Sequence, residues 1–157
     1  MKNRAIPLVD LSQFTQGTAA QRQAFVQELG DAFHEIGFVG VKNHGISKQL
    51  IDDFYAASRR FFALPEAVKR QYEIPGLAGQ RGYTSFGKEH AKQSKVADLK
   101  EFYQIGQEVK NGEMPPEDYP PNVPVAEEPE FLRLGRELYE AFEKAGGELL
   151  RAIAIHL

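Results

Sequence analysis

The sequence predicts an α+β chain in which helices pack on a few short strands. Apolar residues recur with a helical period over long segments, and short β-branched or aromatic runs lie between them. Glycine and proline mark the joins. With 157 residues, the chain has the length of one domain, enough to bury roughly two thirds of its unfolded surface. It is 42% hydrophobic and 26% charged, ordinary globular values that exclude a wholly disordered chain. A net charge of -3 gives no general attraction to nucleic acid or anionic lipid. The absence of cysteine excludes disulfide frameworks, thiolate metal sites and cysteine nucleophiles, and suits a reducing compartment. Apolar runs such as 54–57 and 61–64 are too short to span a membrane, and the start at Met1 leads into no signal-like stretch. A soluble, cytoplasmic protein is expected, without nucleic-acid or membrane partners.

The first element is the run Ile6-Pro7-Leu8-Val9-Asp10-Leu11, whose proline suits an edge strand over residues 8–10. Residues 12–18 read as a polar connection. Phe25, Leu29, Ala32, Phe33 and Ile36 form one stripe of a helix over 19–36, and Gly37 ends it. Phe38-Val39-Gly40-Val41 predicts a buried strand over 38–42, followed by turn chemistry in Asn43-His44-Gly45. Ser47 can cap the next helix, which places Leu50, Ile51, Phe54, Tyr55, Ser58, Phe61 and Phe62 on one side. Pro65 opens a short helix to about Tyr72. Residues 74–87 are glycine-rich and read as irregular. Residues 100–105 predict a strand, with Phe102 among its inward candidates. The prolines between 106 and 128 forbid continuous helix or central strand, so this stretch reads as an extended surface loop. A long amphipathic helix opens at Pro129, and its stripe from Phe131 to Leu157 runs to the chain end without a cap. That ending predicts that further sequence belongs to the protein.

Familiar site chemistry is absent from this pattern. None of His34, His44, His90 and His156 has an acidic residue two positions later, as a His-x-Asp iron motif requires. No phosphate-binding glycine loop or GxSxG elbow occurs. Arg59-Arg60 and Lys69-Arg70 read as solvated helix faces. One loop stands apart, Gln80-Arg81-Gly82-Tyr83-Thr84-Ser85-Phe86-Gly87. Arg81 could clamp a carboxylate and Tyr83 could form an aromatic wall. The simpler reading has Tyr83 and Phe86 stapling the loop to the core, with Arg81 outside.

These segments, taken in order, resemble a known family. Ile6-Pro7-Leu8-Val9-Asp10-Leu11, then Glu35 to Ile46, then Phe61-Phe62-Ala63-Leu64-Pro65-Glu66 with Lys69 are its first motifs. Arg81-Gly82-Tyr83 with Gly87, and Asp98-Leu99-Lys100-Glu101-Phe102-Tyr103, follow. The chain is similar to the N-terminal region of the isopenicillin N synthase-like iron(II)/2-oxoglutarate-dependent dioxygenases. The motif-bearing part is 5–106, with a proline-rich loop over 107–127 and a helix over 128–157 that leads to the catalytic domain.

The resemblance implies that residues 1–157 are the N-terminal portion of a double-stranded β-helix (jelly-roll) oxygenase whose jelly roll is absent from this chain. In that family the jelly roll carries the iron ligands and the 2-oxoglutarate site, so no metal or catalytic residue is assigned here, and neither Fe(II) nor 2-oxoglutarate is expected bound to this chain. The position of His44 is structural in the family. Arg81 is implied as a substrate-side residue, with Tyr83 as a second candidate. The full-length protein is expected to hydroxylate a small organic substrate, with the jelly roll as this chain's partner. Alone, the chain is expected to be inactive and to fold marginally or self-associate. The alternative is a non-catalytic remnant or protein-interaction module that keeps the N-terminal fold.

Overall fold

The computed structural model describes residues 5–90, 96–109 and 119–157. It is α+β, and it divides into two compact units, one of Met1–Ser47 with Ala141–Leu157 and one of Lys48–Glu140. No helix among the described residues is long and apolar enough to cross a membrane. Residues 110–118 of the proline-rich stretch, with Pro115 and Pro116, lie outside the described residues, as does the start at Met1.

In the first unit, strand β1 (Leu8–Asp10) pairs in parallel with β2 (Gly40–Lys42), in the register Leu8↔Gly40, Val9↔Val41 and Asp10↔Lys42. Helix α1 (Leu11–Thr15) follows β1 directly, where a polar connection was expected. Asp10 explains it: its side chain accepts the Ser12 N–H at 3.0 Å, which caps a free helix donor, and Leu11 and Phe14 then bury one face. Helix α2 (Ala19–Glu35) starts at a reciprocal capping box, in which Thr18 and Gln21 each bond the other's backbone N–H. Its Phe25, Val26 and Leu29 join Val9, Phe14, Ala145 and Ala152 in one core.

The strand expected from Phe38 begins instead at Gly40, and Phe38 is 69% exposed. The Gly40 N–H bonds the Pro7 carbonyl at 2.8 Å, and Pro7 has no N–H with which to extend the ladder backwards. After β2, His44 Nδ1 accepts the Ile46 N–H at 3.1 Å, a local bond within the turn.

The second unit holds helix α3 (Lys48–Phe62), helix α4 (Glu66–Lys69) and a 3-10 turn at Arg70–Tyr72, which together fill the two expected helical segments. Strands β3 (Gly82–Thr84) and β4 (Phe102–Gln104) pair antiparallel, with Tyr83 opposite Tyr103. β3 corrects the irregular reading of 74–87. It is three residues long, and no alternation announces it. In β4 the inward ring is Tyr103, not Phe102: Tyr103 packs on Phe61 at 5.0 Å, while Phe102 lies 5.5 Å from the Lys100 ammonium. Helix α5 (Pro129–His156) supplies Phe131 and Leu134 to this core. Phe61 is its centre, with the Phe131 ring stacked at 5.1 Å and Tyr83 edge-on at 5.9 Å. Tyr55, expected on the buried stripe of α3, is 59% exposed.

Candidate functional site

Gly82 organises the loop of interest. Its φ of +75° suits glycine, and a Cβ there would lie 2.4 Å from the Tyr72 carbonyl oxygen. This close approach lets Glu73 bridge to Gly82 and pins the start of β3 to the end of the 3-10 turn. Arg81 and Tyr83, on either side, are thereby sent to different environments.

Tyr83 is 2% exposed and belongs to the core. Its hydroxyl donates to Glu101 Oε2, which also accepts from Lys69 Nζ at 2.7 Å. Lys69 Nζ donates in addition to the Phe62 carbonyl at 3.1 Å and lies 5.6 Å from the centre of the Tyr83 ring. Lys69 is only 7% exposed, so the solvated face expected for Lys69-Arg70 is wrong at Lys69. A buried ammonium is tolerated because its donors meet a carboxylate and a carbonyl. Burial works against ionisation of Glu101, yet the bonds from Lys69 and Tyr83 outweigh it and hold the carboxyl below its ordinary range. Burial, followed by the Glu101 carboxylate, pushes the Tyr83 phenol up. The expected staple thus exists at Tyr83 but not at Phe86, which is 49% exposed.

Arg81 is half-buried. Its Nη1 donates to the Gln80 carbonyl at 2.7 Å, and the guanidinium lies over Gly106, where a Cβ would sit 2.1 Å from Cζ. Asn122 fixes Gly106 by pairing with both its N–H and its carbonyl at 2.8 Å. The same Asn122 amide donates to Glu108 at 2.9 Å, and Arg136 Nε donates to that carboxylate at 2.6 Å. Gly106, Glu108, Asn122 and Arg136 are absent from the sequence-based candidates. A glycine just past a strand was a weak signal for the first, and nothing in the proline-rich stretch announced Asn122.

Beside Arg81 opens a cleft of about 360 Å³, lined by Glu73, Ile74, Pro75, Arg81, Thr84 and Lys88 among others. Glu73 accepts the Ser85 N–H at 2.9 Å and Lys88 Nζ at 2.6 Å. Burial opposes its charge, but the bonds from Lys88 and Ser85 prevail and bring its pKa down to about 2. A carboxyl with a lowered folded pKa stabilises the fold above its ordinary value near 4.5, and this stability is lost as pH falls towards 2. Glu73→Gln is therefore expected to flatten the loss of stability between these limits, measured as denaturant midpoint against pH. An unchanged acid limb would refute the assignment.

The four histidines lie apart in the chain: His34 in the last turn of α2, His44 in the turn after β2, His90 bridging to Ala97, and His156 at the end of α5. Among the described residues, no group of three or more His, Cys, Asp or Glu side chains is placed to hold a metal ion. The donor set therefore does not fit an iron centre, and no step through iron is assigned to these residues.

Residues 6–127 match the family described as "non-haem dioxygenase in morphine synthesis N-terminal". The chain belongs to this non-haem dioxygenase N-terminal family. Among curated relatives, the 2-oxoglutarate-Fe(II) type oxidoreductase ppzD of Metarhizium rileyi is 31% identical over 96% of this chain and 45% of its own length. The 2-oxoglutarate-dependent dioxygenase frbA of a Dothideomycetidae species is 31% identical over 74% of this chain and 39% of its own. A crystal structure of a 2OG-Fe(II) oxygenase family protein from Caulobacter crescentus superposes with a TM-score of 0.81 at 35% identity, covering 97% of this chain and 48% of that one. A full-length Neurospora crassa protein crystallised in complex with alpha-KG gives a TM-score of 0.77 at 26% identity, covering 99% of this chain and 45% of that one. The chain spans about half the length of these relatives. Like them in its α+β layout, it is similar to the N-terminal region of 2-oxoglutarate/Fe(II) oxygenases.

Proposed function

We propose that this chain is the N-terminal part of an Fe(II)/2-oxoglutarate-dependent oxygenase that hydroxylates a small organic substrate. The observation that carries the reading is the near-complete match of this chain to 45% of a 2-oxoglutarate-Fe(II) type oxidoreductase. In this reading the remainder of the protein is a jelly-roll domain that binds iron and 2-oxoglutarate and supplies the oxidising chemistry.

The residues described here have a supporting task. Arg81, seated on Gly106, offers a positive charge at the substrate side. Tyr83 is a positioning residue: through Glu101 and Lys69 it holds β3 in place and so fixes where Arg81 emerges. The outer side of the β1–β2 pair supports a covering partner, since Ile6 is 61%, Leu8 58% and Phe38 69% exposed. Apolar side chains in such a position gain by burial against another surface, and we assign that surface to the jelly roll.

The test compares the 157-residue chain with a version continued by the jelly roll of the full protein, each supplied with Fe(II) and 2-oxoglutarate. Decarboxylation of 2-oxoglutarate, abolished by a chelator, is expected only for the longer protein. Chelator-sensitive decarboxylation by the 157-residue chain would overturn the reading.

A further inference from the structure

The aromatic cluster around Phe61 holds three tyrosines, and the hydroxyl of each meets a different acceptor. With no tryptophan or cysteine in the chain, tyrosine is its only phenol, indole or thiol, the side chains that give up one electron most readily. Tyr72, Tyr83 and Tyr103 pack on the Phe61 ring at 6.2, 5.9 and 5.0 Å between centroids. A phenol that loses an electron becomes a very strong acid, so the loss is easy only where a base takes the hydroxyl proton at once. Tyr103 lacks such a base, because its hydroxyl donates to the Val123 carbonyl at 2.5 Å. Tyr83 has one in Glu101, but Lys69 Nζ shares that carboxylate at 2.7 Å and lies 5.6 Å from the Tyr83 ring centre. A proton moved onto Glu101 would leave the buried ammonium unpaired, which is strongly unfavourable. Tyr72 has neither handicap. Its hydroxyl donates to Glu127 Oε2, and Glu127 is an exposed residue with no ion pair among the described residues. A proton placed there passes to water and strands no cation. The Ala126 N–H donates to the Tyr72 oxygen at 3.0 Å and holds it in place as the proton leaves. Burial, followed by the bond to Glu127, pushes the Tyr72 phenol up, so at neutral pH the hydroxyl carries the proton to be moved. The ring itself, 8% exposed, is shielded from dissolved reactants.

We propose that Tyr72 is a one-electron redox site of this protein, with Glu127 as its proton acceptor and Phe61 as the contact to the other two tyrosines. Tyr72 gives one electron to a one-electron oxidant stronger than a phenol, its O–H bond breaks, and the proton goes to the Glu127 carboxylate. The products are a neutral phenoxyl radical, a protonated Glu127 and the oxidant reduced by one electron. A one-electron reductant such as ascorbate returns the electron, and the proton returns from Glu127. An electron vacancy formed on Tyr83 or Tyr103 is drawn across Phe61 to Tyr72, whose proton has the better acceptor. The inference goes beyond the oxygenase reading and does not rest on it, because the test supplies its own oxidant.

The test is a flash-quench experiment on the 157-residue chain, with photogenerated tris(bipyridine)ruthenium(III) as the oxidant. Tyr55→Phe, Tyr119→Phe and Tyr139→Phe are introduced first, so that the cluster holds the only tyrosines. This parent variant is expected to give a neutral phenoxyl radical, read by transient absorption and by electron paramagnetic resonance with ring-deuterated tyrosine. Adding Tyr72→Phe, which removes a single hydroxyl, is expected to abolish the long-lived signal. Adding Tyr83→Phe or Tyr103→Phe is expected to leave it in place. Glu127→Gln keeps a hydrogen-bond acceptor but removes the base, and is expected to slow radical formation on the order of a hundredfold. Each variant is first required to retain the parent's amide dispersion.

The proposal is overturned if the parent gives no phenoxyl signal, if the signal survives in folded Tyr72→Phe, or if Glu127→Gln forms the radical at the parent rate. Loss of the signal in folded Tyr83→Phe or Tyr103→Phe, with Tyr72 intact, overturns it equally by placing the radical on another tyrosine. Neither iron nor 2-oxoglutarate is present in this experiment. Its failure removes the redox site and leaves the oxygenase assignment standing, whereas turnover by the 157-residue chain overturns that assignment and leaves Tyr72 as it is.

Discussion

Lys69→Met is expected to lower the stability of the Lys48–Glu140 unit by about 3–5 kcal/mol, the usual range for removing one partner of a buried ion pair. The substitution keeps most of the aliphatic stem, so little packing is lost. What is lost is the cation that faces Glu101 at 2.7 Å and the donor to the Phe62 carbonyl at 3.1 Å. Glu101 is left with the Tyr83 hydroxyl alone.

Two further measurements separate this cause from a general packing defect. In the wild type the Glu101 carboxyl lies below its ordinary value, because the bonds from Lys69 and Tyr83 outweigh burial. Its contribution is present above the unfolded pKa and disappears as pH falls through the folded one. In Lys69→Met burial acts against the charge with less opposition, so the folded pKa rises. The stability gap between wild type and variant should therefore narrow on acidification. Adding Glu101→Gln should recover part of the loss, since the unpaired charge is removed while an acceptor for Tyr83 remains. A denaturant midpoint for Lys69→Met within about 1 kcal/mol of wild type, with no pH dependence in the gap, would refute the buried clamp.

Phe61→Ala is expected to have a comparable or larger effect, about 3–5 kcal/mol, by the transfer and cavity costs of deleting a buried ring. Phe61 is 0% exposed, and its ring meets those of Phe62, Tyr72, Tyr83, Tyr103 and Phe131 at 5.0 to 6.2 Å. Truncation removes a shared neighbour from α3, the 3-10 turn, both strands of the β3–β4 pair and α5 together. The loss should appear as a fall in thermal midpoint on the order of 10 °C. Tyr55→Ala on the same helix is the control. Tyr55 is 59% exposed, so its truncation should stay within about 0.5 kcal/mol of wild type. Similar losses at both positions would mean that the aromatic cluster does not centre on Phe61.

The helices were legible because their evidence is local. The stripe Phe25, Leu29 and Ala32 repeats at the helical period, and Phe131, Leu134, Ala145 and Ala152 do the same, so α2 and α5 are readable without knowing what they face. The short elements were not. β3 is three residues, and its existence depends on the Tyr72 carbonyl meeting a glycine with positive φ. α1 was hidden behind residues that look like a polar linker until Asp10 is recognised as the cap.

The candidate site divides in the same way. Arg81-Gly82-Tyr83 stood out by composition, and the order of motifs sufficed to place the chain in its family. The environments of its side chains did not follow from the motif. The staple was the simpler reading of Tyr83, but the motif left an aromatic wall open as well, and Lys69 looked like any lysine on the wet side of a short helix.

The amino-acid sequence alone determined where α2, α3 and α5 lie, that the chain is α+β, and which family it belongs to. Only the tertiary structure decided that Lys69 is buried and that Arg81 rests on Gly106. The reason is one of range. Helical period and turn chemistry are properties of neighbours along the chain, whereas pairing joins residues far apart. Glu101 is 32 positions from Lys69 and 18 from Tyr83, and Asn122 is 16 from Gly106. A pattern of side chains states which face is apolar, but the partner of a buried charge is set by what folding brings against it.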